Sequence, residues 1–181
     1  MLTHVISLLE PEQQDMEIRS SLFAGAGGMV FRQVPQVDEV APNLAMLREQ
    51  FGNPNFTVIS SHGSEEGMLR DKHDNTSPAA EIIREIASPY IFISACLVGL
   101  VGASELARPH QQVIAMNAVV KVSSMARAAV AFHRVLADSP EGALLKYDDL
   151  PRYVQQFIPE EQFVFLDPTQ ELLPLSRAQS E

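Results

Sequence analysis

Residues 56–63, FTVISSHG, and residues 90–96, YIFISAC, are the two stretches that decide the fold. Each opens with five residues rich in β-branched and aromatic side chains, the composition of a buried strand. Each then breaks off at a small residue and a chemically reactive one: His62 before Gly63 in the first, Cys96 after Ala95 in the second. Between them, Pro78 at a first helical position behind Ser77 as N-cap, with Ile82, Ile83 and Ile86 at helical spacing, predicts one helix. Strand, helix, strand is the unit that makes two strands parallel.

The pattern continues outward from this unit. Upstream, Val40, Leu44, Leu47 and Phe51 predict a helix stopped by Gly52. Val5 to Leu9 reads as a short edge strand, and Met29 to Val34 as another. Downstream, a short helix is predicted over Ala103 to Ala107 and a third core strand over Gln112 to Met116. A helix over Lys121 to Leu136, a helix near Leu150 to Phe157 and a last strand at Phe163 to Leu166 follow. Such alternation predicts an α/β fold with a mostly parallel sheet and helices on both faces. Right-handed crossovers gather the carboxyl ends of its strands on one edge, where chemistry in such folds usually sits. Residues 1–175 are expected to form one domain with its motif-bearing core at 56–136, and residues 176–181 a disordered tail.

Composition narrows the function. The 181 residues carry 13 basic and 23 acidic side chains, a net charge of −10. With no Lys/Arg cluster, nucleic acid and anionic membrane surfaces are excluded as partners, whereas a basic peptide is attracted. The acidity also serves solubility. The single cysteine, Cys96, allows no intrachain disulfide. The opening MLTHVISLLEPE has no basic start, and the apolar run Tyr90 to Gly102 is too short to span a bilayer. A cytoplasmic location is expected. No cofactor is expected: the FAGAGG stretch, Phe23 to Gly28, has neither a GxGxxG pattern nor a Walker lysine and reads as a flexible turn. Asp71, His73 and Asp74 imply no fixed metal geometry.

A cysteine and a histidine ending neighbouring strands have the chemistry of nucleophile and base. A nearby imidazole favours the thiolate, and a helix following Cys96 would aim its positive end at the sulfur. Backbone N–H groups of Gly63 and Cys96 are candidate oxyanion donors, and Gly63 leaves room for a peptide carbonyl. Taken singly, Cys96 reads equally as an inert small hydrophobe and His62 as a loop residue; the pair at one edge is the stronger signal. Glu65, Glu66, Asp71 and Asp74 read either as a solvated hairpin or as a lining for a basic side chain. His110 and His133 read as structural or surface residues.

The strand–His-Gly and strand–Ala-Cys pattern resembles the caspase-like (clan CD) cysteine peptidases, most closely the CHAT-domain proteases. Ser94-Ala95-Cys96-Leu97-Val98-Gly99 is similar to their S-A-C-x-x-G signature, and His62-Gly63 with Gly67-Met68-Leu69 to their His-Gly and G-L-x segment. The resemblance spans roughly residues 56–136. It implies a caspase-hemoglobinase-like sandwich and a regulatory cysteine endopeptidase activated by a partner or ligand, with a protein or peptide substrate and a regulatory protein partner or homodimer. His62 and Cys96 are then the catalytic dyad and Gly63 the oxyanion contributor. Ser94, Glu65, Glu66 and Asn117 are the substrate-binding candidates. The chain departs from the family at Ser94, Leu97 and Asn117, which leaves a catalytically inactive scaffold of the same fold as the alternative. An unrelated flavodoxin-like binding domain, with FAGAGG as a phosphate loop, is a third reading.

Overall fold

A computed structural model describes residues 1–9, 28–106, 108–138 and 150–166. Six strands form the main sheet: β1 (Thr3–Ser7), β2 (Met29–Gln33), β3 (Phe56–Ser60), β7 (Tyr90–Ser94), β8 (Gln112–Met116) and β9 (Phe163–Leu166), in the order β2-β1-β3-β7-β8-β9. All neighbours are parallel except β9, which runs antiparallel to β8. The helices are α1 (Val40–Phe51), α2 (Ala79–Arg84), α3 (Ala103–Leu106), α4 (Val122–Asp138) and α5 (Leu150–Gln155).

The sheet is apolar on both sides, and residue parity sorts the two cores. On one face Ile6, Ile59, Ile91, Ile93 and Val113 pack with Val40, Leu44 and Leu47 of α1 and Ile82 and Ile83 of α2. On the other, Val5, Phe56, Val58, Phe92 and Ile114 pack with Met125, Ala129 and Phe132 of α4 and Val154 of α5. Phe132 is the keystone of that second layer, with its ring centroid 5.2 Å from Phe56 and 5.9 Å from Tyr90. Among the described residues, no helix is long and apolar enough to cross a membrane.

Several local expectations are corrected. The first strand is not an edge: it begins at Thr3, two residues before the apolar run, and pairs with β2 on one side and β3 on the other. Ser77 does not cap a helix. Thr76–Pro78 is itself a strand, β6, held against β5 (Met68–Arg70), and α2 starts at Ala79 behind Pro78 without a side-chain cap. Tertiary pairing here overrides the capping signature. Most of the FAGAGG stretch and the tail at 176–181 lie outside the described residues.

Two buried histidines flank the start of β1. His133 on α4 meets the Thr3 hydroxyl through Nδ1 at 2.9 Å, and the Nε2 atoms of His133 and His4 are buried with no hydrogen-bond partner among the described residues. His4 shares a small cleft at the amino end of the sheet with Arg48 and Glu85. Burial pushes both imidazoles below the ordinary histidine value of 6.5; the terminal amino group and Arg134 push His133 further, against an opposing pull from Asp138. Between the folded and unfolded values the unfolded chain binds protons that the folded chain refuses. The stabilisation is therefore complete above 6.5 and is lost as pH falls through the folded values. Thermal melts from neutral to mildly acidic pH are expected to show a falling midpoint. That slope should flatten in a H4Q/H133Q double variant.

Candidate active site at the carboxyl rim

β3 and β7 are adjacent and in register, with Ser60 opposite Ser94. His62 and Cys96 each lie two residues beyond that pair, so the ladder delivers both to one rim, on strands about 5 Å apart. The pairing persists one residue past the strands: the Ser61 N–H donates to the Ser94 carbonyl at 3.1 Å. Direct packing completes the approach. A methyl group placed on Gly63 would collide with the Cys96 carbonyl oxygen and would lie 2.6 Å from Val98 Cγ2 and 3.1 Å from Ala95 Cβ. The His-Gly and Ala-Cys segments therefore touch, and only glycine permits the contact.

Beyond Ser61 the chain leaves the main sheet. β4 (His62–Gly63) pairs antiparallel with β5, and β5 with β6, giving a small three-stranded sheet that carries His62 on its first strand. Glu65 and Glu66 stand exposed in the turn between β4 and β5. Gly67, at φ +73°, closes that turn, with its N–H donating to the Ser64 carbonyl at 3.0 Å. Asp71 anchors the far end of the same sheet. Its carboxylate accepts from the backbone N–H groups of Val37, His73 and Asn75 and from Asn75 Nδ2 at 2.8–3.1 Å. Burial pushes the Asp71 carboxyl up, but these hydrogen bonds outweigh burial and bring it to about 2. With its oxygens so engaged, Asp71 is a structural anchor and not a lining for a basic side chain. Asp74 pairs at the surface with Arg70 at 3.4 Å.

Cys96 is half-buried and is held by a second loop. Its Sγ donates to the Val120 carbonyl and accepts the Val120 N–H, both at 3.4 Å, while the Leu97 N–H donates to the Ala118 carbonyl at 3.2 Å. Leu97 sits in the left-handed region at φ +66°, a conformation costing a non-glycine residue about 1–2 kcal/mol. The turn directly after Cys96 is therefore strained, and the bonds around it hold that strain in place.

The helix expected after Cys96 is replaced by a 3-10 turn, Val98–Val101. The long helix beside the sulfur is instead α4, whose first residue, Val122, lies two positions after Val120. Ser94 is fully buried beneath this rim, and Asn117 follows β8 with its Oδ1 buried and without a hydrogen-bond partner among the described residues. Val120 and Ser61 escape the sequence reading, and Leu97 enters it only as a departure from the family pattern. Val120 acts through its backbone, which leaves no residue signature, whereas Ser61 was signalled by its place between a buried strand and a histidine. Among the described residues, no three His, Cys, Asp or Glu side chains cluster as a metal site.

The fold is α/β, with a mostly parallel sheet covered by helices on both faces. A solved structure sharing it is the Arg-specific cysteine proteinase gingipain R, with a TM-score of 0.50 and 14% identity over 86% of this chain. A complex of Porphyromonas gingivalis RgpB pro- and mature domains also matches, at TM-score 0.45 and 15% identity over 77% of this chain. This chain spans only 41% and 38% of those two chains. No protein-family model and no curated protein matches it.

The tight seat of Gly63 makes a direct prediction. Gly63→Ala must push the His-Gly turn off the Cys96 loop, at a cost of about 1–3 kcal/mol. Denaturant unfolding should register that loss, and alkylation of Cys96 near neutral pH should slow with it. Unchanged stability and alkylation would mean that the two segments are not in contact.

Proposed function

We propose that this chain is a cysteine endopeptidase acting through a His62–Cys96 dyad. The observation that carries the reading is the packing of Gly63 on the Cys96 backbone, at the ends of adjacent parallel strands. Cys96 gives its proton to His62 and attacks the peptide carbonyl, forming a C–S bond. The oxyanion is met by backbone N–H groups of Gly63 and Cys96. The C–N bond breaks as His62 returns the proton to the departing amine. His62 then takes a proton from water, which displaces the thiol from the acyl-enzyme.

The substrate in this reading is a protein or peptide. In this reading Ser94 and Asn117 are the substrate-binding candidates, and the exposed Glu65 and Glu66 attract a basic residue. Activity is regulatory, arises in the cytoplasm and depends on a partner, ligand or second copy. A second reading, a scaffold of the same fold without catalysis, is favoured by one observation: both hydrogen bonds of the thiol go to Val120.

Peptide electrophiles separate the two. Incubation with a panel of peptidyl acyloxymethyl ketones, followed by mass spectrometry, is expected to place the adduct on Cys96. His62→Ala is expected to slow labelling roughly a hundredfold, the usual scale of a general base. Labelling indifferent to peptide sequence and to His62→Ala would establish the scaffold.

A further inference from the structure

The geometry points to Ser61 as the positioning residue that sets His62 against Cys96, an inference that rests on the dyad reading. Ser61 is only 3% exposed and sits where the chain passes from the main sheet into the small one. Its hydroxyl faces the carbonyls of His62 at 2.8 Å and Arg70 at 2.9 Å and shares its one proton between them. The same oxygen accepts the Arg70 N–H at 3.0 Å. Its backbone N–H donates to the Ser94 carbonyl, two residues before Cys96.

One residue thus bonds to both arms of the site. Through its backbone it extends the β3–β7 ladder toward the cysteine. Through its side chain it closes the open end of the β4–β5 hairpin on which His62 stands. Arg70 is the register partner of His62, so the hydroxyl fixes the rung that carries the imidazole. Loss of the hydroxyl leaves two carbonyls and an N–H at a buried junction without that partner, and the hairpin is freed to pivot about residue 61. None of the hydroxyl's partners belongs to a core strand, so the pivot moves His62 while leaving the main sheet in place.

The decisive comparison is alkylation of Cys96 by iodoacetamide from about pH 5 to 9 in wild type, Ser61→Ala, Ser61→Thr, His62→Ala and the Ser61→Ala/His62→Ala pair. Ser61→Ala is expected to lose roughly tenfold or more in rate near neutrality and to take on the pH profile of His62→Ala. The double variant should be no slower than His62→Ala alone. Threonine, which keeps the hydroxyl, should restore the rate to within about threefold of wild type. A wild-type profile in Ser61→Ala overturns the inference while leaving the dyad intact. A wild-type rate in His62→Ala overturns the dyad and the inference together. Amide hydrogen exchange in the wild-type protein supplies a check that needs no variant. The Arg70 N–H should be protected by the hydroxyl, and rapid exchange there overturns the proposal.

Discussion

Everything at the rim depends on one rung of backbone pairing, Ser60 opposite Ser94 in the parallel ladder of β3 and β7. Buried parallel strands are covered by helices on both faces, so their register is fixed by packing from above and below. A slip of β3 by one residue would turn Val58 out of the α4 layer and Ile59 out of the α1–α2 layer. The core thus enforces the register, and the register determines which residues emerge side by side.

Two devices then convert proximity along the rim into a defined arrangement. The first is the small antiparallel sheet, tied down by Ser61 at its root and by Asp71 at its far end. Because the Asp71 carboxyl lies at about 2, that anchor is ionised throughout the neutral and mildly acidic range. The second is the loop from Asn117 to Lys121, which joins Leu97 and the cysteine sulfur to the start of α4. Val119 is 76% exposed on that loop, although both of its neighbours are bonded to the cysteine turn. The loop is therefore held by its backbone while it presents an apolar side chain to solvent.

The legible and illegible parts of the chain divide along physical lines. β3, β7, β8 and β9 were readable to the residue because a strand buried on both sides must be a continuous apolar run. α1 was equally plain from its spacing and its terminal glycine. β1 was misjudged as an edge because Thr3 and His4 are polar yet buried, and only distant partners make them strand residues. β4 is invisible in the sequence, since His62 and Gly63 have no strand composition and are strand residues only through their pairing with β5. Ser77-Pro78 carried a helix-start signature that pairing with β5 overrode. Of the site, the positions of His62, Gly63 and Cys96 at one rim followed from strand order. The sulfur's partner did not, because a backbone N–H and carbonyl look alike in every residue.

The juxtaposition itself is best tested by NMR on protein with isotope-labelled histidine rings, before and after small-group alkylation of Cys96 with methyl methanethiosulfonate. His73 and His110, both exposed and outside the rim strands, serve as internal references. The account predicts that the ring signals of His62 shift on modification while those of His73 and His110 stay in place. A His62 ring that does not respond to a changed sulfur would contradict it.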